Sequence, residues 1–190
     1  MTDAKKKLRT QMIARRSAMG ASERADGSAK VAAHARRMLE QYPGATVAAF
    51  LSIGDEFDTA PLMVGLVEAG HPLCLPVMQG KGQPLLFRAY APGDEMATVM
   101  WVIREPLASQ PLLTPSVLIV PLLAFDGQGW RLGYGGGFYD RTLRLLRDAG
   151  AVTAIGAAFD IQEVDAVPHL DYDQRLDWVL TPSGPRRFER

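Results

Sequence analysis

Segment 131–141 of this 190-residue chain reads Arg-Leu-Gly-Tyr-Gly-Gly-Gly-Phe-Tyr-Asp-Arg, and it concentrates the residue types that do chemistry. Four glycines fall within positions 133–137. Lacking a Cβ, they let the backbone approach a ligand and take angles that side chains forbid. The apolar run 117–124 before them predicts a buried strand, and 138–149 after them predicts a helix. A glycine loop that opens a helix aims unpaired N–H groups, and the positive end of the helix dipole, at an anion. Arg131 and Arg141 flank the loop, and Asp140 adds a carboxylate at the helix start. The combination suits a polyphosphate carried with its metal.

The common glycine-loop classes do not describe it. A P-loop ends in Gly-Lys-Ser/Thr, whereas Gly137 is followed here by Phe138 and Tyr139. A dinucleotide fingerprint needs a third glycine where Phe138 stands.

Other elements must position this loop. Helices are expected over 4–18, over 22–40 with Ser22 as N-cap, and over 59–69 with Asp58 or Thr59 as cap and Pro61 in the first turn. Strands are expected over 46–52, 72–77, 84–90, 117–124, 152–158 and 178–180. Residues 91–116, punctuated by four prolines, read as irregular. Gly150 should end the helix after the loop. Strands alternating with helices predict an α/β fold: a single three-layer domain with a mostly parallel sheet between helices. Its core covers about 4–181, with 182–190 as a tail. Ligands of such sheets bind beyond the carboxyl ends of the strands. That rule gathers the acidic turn 55–58, the glycine loop and residues 160–162.

Composition narrows the function. Hydrophobic residues make up 47% and charged residues 22%, ordinary for a globular protein. Lys and Arg balance Asp and Glu at a net charge of zero, which argues against nucleic acid as partner. No apolar run reaches the ~20 residues of a membrane span, and the basic start lacks the apolar core of a secretory signal. The one cysteine, Cys74, reads as a buried inert thiol and suggests a cytoplasmic protein. His34, His71 and His169 have no metal-ligand spacing, and no nucleophilic triad is legible.

The string 131–141 resembles the signature of the 5-formyltetrahydrofolate cyclo-ligase family (methenyltetrahydrofolate synthetases). Lys5 to Arg9, Phe50-Leu51-Ser52, Glu56-Phe57-Asp58-Thr59, Leu75-Pro76-Val77, Arg104-Glu105-Pro106, Val167-Pro168, Asp173 and Leu176-Asp177 agree with it in order. The resemblance implies an ATP-dependent ligase that closes 5-formyltetrahydrofolate to 5,10-methenyltetrahydrofolate, with Mg2+ as cofactor and ATP as co-substrate. Lys5, Arg9, Arg131, Leu132, Gly133, Tyr134, Gly135, Gly136, Gly137, Phe138 and Tyr139 are then expected at ATP. Leu51, Glu56, Tyr134, Gly135, Gly136, Gly137 and Phe138 are expected at the folate. Asp140 and Asp177 are expected at the metal. Arg141 either grips phosphate or pairs with Asp140, while Lys6, Lys7 and Arg15 stay solvated.

Trp130 either flanks the site or packs, and Trp178 reads as core; Trp101 carries little information. Two departures stand out. Phe138 replaces a second tyrosine, and Leu170 and Tyr172 replace the family's Glu and His. No membrane partner and a monomer are expected. The rival reading is a catalytically inactive nucleotide-binding regulatory module on the same fold. A transferase or isomerase acting on a sugar phosphate or coenzyme A is a third.

Overall fold

The computed structural model describes residues 2–100 and 103–189; Trp101 lies outside them. In chain order the elements are α1 (Asp3–Ser17), α2 (Ala21–Leu39), β1 (Val47–Ala48), α3 (Ala60–Glu68), β2 (Leu73–Met78), β3 (Leu85–Ala89), β4 (Met96–Met100), β5 (Ile103–Pro106), β6 (Val117–Val120), β7 (Ala124–Phe125), β8 (Arg131–Leu132), α4 (Phe138–Ala149), β9 (Thr153–Ala157), β10 (Trp178–Thr181) and β11 (Gly184–Arg187).

Seven strands form one sheet in the order β11-β10-β9-β6-β1-β2-β3. Its interior pairings are parallel, and the two edge pairings, β10 with β11 and β2 with β3, are antiparallel. The two faces bury alternate residues of the same strands, as the period of two requires. Val47, Val117 and Ile119 pack with Val31 and Ala35 of α2 and Leu62 and Leu66 of α3. Ala48, Leu118 and Val120 pack with Leu143 of α4 on the other face. The expected three-layer α/β architecture, with its mostly parallel sheet, is therefore present. Among the described residues no helix is long and apolar enough to cross a membrane.

Several local expectations change. The helix expected from Ser22 starts one residue earlier, with Gly20 as N-cap, so Ser22 sits inside α2. Residues 91–116 contain the antiparallel pair β4 and β5. Their short, mixed-polarity strands carry no clean alternation, which hid them. The tail is not free either: 184–187 pair with β10 across a tight turn, Thr181 facing Gly184. Gly150 does end α4, but in extended rather than left-handed backbone.

The order of connections decides where a ligand fits. From β1 the chain passes through α3 to β2 on one side; from β6 it passes through α4 to β9 on the other. The winding direction reverses between β1 and β6, and the crevice opens at the carboxyl ends of that pair.

Candidate active site

A cavity of about 860 Å³ occupies this crevice. Residues 50–53 beyond β1, the end of β2, Pro121 beyond β6, the loop 133–137 and the start of α4 all line it. The loop enters left-handed backbone at Gly135 (φ 101°) and Gly137 (φ 65°), and Gly137 is the N-cap of α4. At both positions a side chain would be strained. Thr142 pins the start of α4 to the sheet, accepting from Leu85 N at 2.8 Å and donating to Phe138 O at 2.8 Å.

One end of the cavity is charged. Lys5, only 7% exposed, forms an ion pair with Asp173. Arg9 donates through Nε to the Gly133 carbonyl at 2.8 Å, which ties α1 to the loop. Arg131 bonds Asp140 Oδ1 through Nη2 at 2.9 Å and reaches the Gln174 carbonyl with Nη1. Asp140 Oδ1 also accepts from Gln174 N at 3.0 Å, and Asp173 Oδ2 accepts from Leu170 N at 2.7 Å. Two buried cations thus face two carboxylates. Lys6, Lys7 and Arg15 are exposed, as their solvated reading requires.

Much of the remaining lining is apolar: Leu51, Met63, Leu75, Met78, Leu85 and Phe138. Tyr139 also faces the cavity. Burial, with the Glu56 charge adding to it, pushes its phenol pKa up strongly, against the opposing pull of Arg131. Glu56 itself does not line the cavity. Its Oε2 accepts from Ile53 N at 2.9 Å, and burial together with its charge pushes the phenol pKa of Tyr134, which does line the wall, up to about 12.

Asp177 is not brought to Asp140. Its Oδ2 pairs with Arg147 at 3.0 Å and accepts from Ala154 N at 2.8 Å, near the amino end of β9. Arg147 stands about 10 Å along the α4 axis from Asp140, at ~1.5 Å rise per residue. Asp173, four positions before Asp177, does share the cavity with Asp140. Asp177, expected at the metal, thus stands outside this cavity, because strand β10 begins directly after it and sets it at the amino end of the sheet.

Residues 160–162 do not reach the cavity either. Gln162 is buried there and holds the carbonyls of Leu122 and Leu123. β9 is one strand further from the switch point, which explains it. Trp130 stacks on His169 (centroids 3.8 Å, interplanar angle 5°) and lies outside the cavity lining. Trp178 packs against the core, and Arg141 braces the loop through the Gly136 carbonyl at 2.7 Å. Leu170 and Tyr172, the second departure, both line the cavity, as does Phe138, the first. Arg104 and Glu105 are lining residues that carried no expected role; the prolines around them had marked that stretch as irregular.

The chain was compared with known proteins. A family model described as the 5-formyltetrahydrofolate cyclo-ligase family matches residues 1–182. The 5-formyltetrahydrofolate cyclo-ligase of Escherichia coli (strain K12) is 43% identical over 143 residues, covering 73% of this chain and 78% of that protein. The enzyme of the same name from Haemophilus influenzae is 31% identical over 184 residues, covering 94% and 98%. Among solved structures, the Aquifex aeolicus 5,10-methenyltetrahydrofolate synthetase superposes with TM-score 0.76 at 24% identity, covering 98% of this chain and 93% of that one. The Mycoplasma pneumoniae 5,10-methenyltetrahydrofolate synthetase gives TM-score 0.75 at 20% identity, with 95% and 99% covered. These two likenesses speak for the fold, and the sequence matches speak for descent: the chain belongs to the 5-formyltetrahydrofolate cyclo-ligase family.

Proposed function

We propose that this protein is an ATP-dependent ligase that cyclises 5-formyltetrahydrofolate to 5,10-methenyltetrahydrofolate, releasing ADP and phosphate. The observation that carries the reading is one continuous cavity lined by buried cations, a glycine loop and apolar side chains, in a chain of this family. The reaction needs both kinds of surface. A formyl oxygen on nitrogen is a poor leaving group until it is phosphorylated. It attacks the terminal phosphorus of ATP and the bond to ADP breaks. The N10 amine then attacks the formyl carbon and gives up its proton. The carbon–oxygen bond breaks, and phosphate leaves with that electron pair.

Such a sequence asks for positioning and charge neutralisation more than for a strong base. Lys5, Arg9 and Arg131 offset phosphate charge, the arginines through planar forks and the lysine as a point charge. The loop 133–137 lets phosphate approach the backbone. Leu51, Tyr134 and Phe138 form the folate wall, with the Glu56 charge acting on Tyr134 from behind it.

Among the described residues no group of three or more His, Cys, Asp or Glu is placed to hold a metal by itself. That fits Mg2+ arriving with ATP, since this ion usually takes one or two carboxylates and fills its shell with phosphate oxygens and water. Asp140 and Asp173 are the residues that would hold it. It would supply neutralisation of the phosphate charge.

Every group named lies on one chain, so we propose a monomer, checked by light scattering after size exclusion. The activity itself is tested by near-ultraviolet absorbance. A methenyl chromophore should rise with 5-formyltetrahydrofolate, ATP and Mg2+, and should vanish without ATP or with EDTA. A folded protein that gives no rise overturns the reading.

A further inference from the structure

Glu105 is the most deeply buried carboxylate in the cavity wall, at 6% exposure. Strand β5 packs against β2 and sets Glu105 Oε1 3.0 Å from the backbone N–H of Met78, which it accepts. Among the described residues it has no ion pair. An ionised carboxylate offers about four acceptor sites, and one N–H leaves the others to whatever enters the cavity it lines. A glutamine would serve Met78 equally well, so the local fold gives no reason for a charge here.

The surroundings define what would complete it. The cavity's other buried acid–base groups, Lys5 with Asp173 and Arg131 with Asp140, belong to the charged end. Met78 closes β2, β2 pairs with β1, and the chain beyond β1 carries Leu51. Met78 and its β3 partner Leu85 put apolar side chains beside Glu105, and Met63 and Leu75 line the same cavity. A flat ring fits such a wall, and its N–H edge fits the carboxylate. The pterin ring of a reduced folate presents an exocyclic amino group beside a ring N–H, two adjacent donors for one carboxylate. Adenine presents one amino group, tethered to the phosphates.

We propose that Glu105 is a specificity-determining residue that accepts the 2-amino and N3–H donors of the pterin ring. The inference rests on the folate reading above and adds to it a contact that Glu56, turned toward Tyr134, does not make in this conformation.

The test is Glu105→Gln, which keeps an acceptor for Met78 N–H while removing the charge and one acceptor oxygen. Thermal melting checks that the variant folds. The KM for 5-formyltetrahydrofolate should rise about ten- to hundredfold, the range of a hydrogen bond to a charged group, with the KM for ATP unchanged. A 2-desamino folate analogue supplies the readout that a merely structural role would not move. The wild type should bind it far more weakly than the parent folate by calorimetry without ATP, and the variant should no longer discriminate.

An increase confined to the KM for ATP, unchanged constants, or discrimination that persists in the variant would each overturn the proposal. A wild-type protein that binds no 5-formyltetrahydrofolate overturns the functional reading and this inference with it. Normal wild-type binding with an indifferent variant overturns the inference alone.

Discussion

Arg16 Nη2 donates to the phenol oxygen of Tyr134 at 2.8 Å, and the Glu56 charge acts on the same phenol, raising its pKa. Arg16 is 6% exposed, and among the described residues its Nε has no hydrogen-bond partner, so its directed contact there is with this tyrosine. The chain of three joins α1, the glycine loop and the turn after β1. Elements proposed for ATP and elements proposed for folate are thereby tied together. Tyr134→Phe keeps the ring and cuts the bond from Arg16. The expected result is a rise of about three- to tenfold in the KM for 5-formyltetrahydrofolate, together with a loss of about 1–3 kcal/mol of stability because the buried Arg16 guanidinium loses its acceptor. An unchanged KM would reduce the tyrosine to packing.

The three aspartates separate by role. Asp140→Asn and Asp173→Asn should raise the Mg2+ concentration needed for half-maximal rate. Asp177→Asn should leave that requirement alone and instead cost about 1–2 kcal/mol of stability, because Arg147 loses its charged partner. Magnesium titration and denaturant melts, run side by side on the three variants, decide this. A Mg2+ shift in Asp177→Asn would restore that residue to the metal.

Lys5→Met should depress kcat/KM for ATP by about a hundredfold, the scale of losing one positioned charge at a phosphoryl group. Its partner Asp173 then stands unpaired in a wall where it is mostly buried, so some stability goes too. Lys6→Met, on the exposed side of α1, is the control and should do neither.

Gly137→Ala forces a Cβ into left-handed backbone at φ 65° and should cost about 1–2 kcal/mol. The nearest atom it meets, Nη1 of Arg141 at 2.8 Å, ends a flexible side chain and can move aside. The strain is therefore the main term. Chemical denaturation measures it, and a neutral result would mean the loop relaxes to another conformation.

Burial pushes the Cys74 thiol up from 9.0 to about 12, and burial with Glu56 pushes Tyr134 from 10.0 to about 12. Both groups are neutral below these values. A raised folded-state pKa stabilises the fold fully below the unfolded value and is lost as pH rises through the folded one. Stability should therefore hold to about pH 9 on their account and fall between there and about 12. Native protein should also resist thiol alkylation at pH 8, since the thiolate is the reactive form. Rapid alkylation under native conditions would contradict a buried, neutral Cys74.

The glycine loop, the basic face of α1 and the strand–helix alternation were legible from residue types and local periods alone. Lys5, Arg9 and Arg16 share a helix face because the helical repeat demands it, and the left-handed turns at Gly135 and Gly137 need glycine wherever the loop goes. What local rules do not contain is the relation between distant segments. Asp173 and Asp177 stand four positions apart, in one stretch, with the same side chain. Only the start of β10 at Trp178 sends one to the far end of the sheet and leaves the other beside Lys5. The pairing of β4 with β5, the return of β11 along β10 and the burial of Glu105 against Met78 are decisions of the same kind. Each depends on a hydrogen-bonding or packing partner supplied by another part of the chain, and neither partner's own sequence names the other.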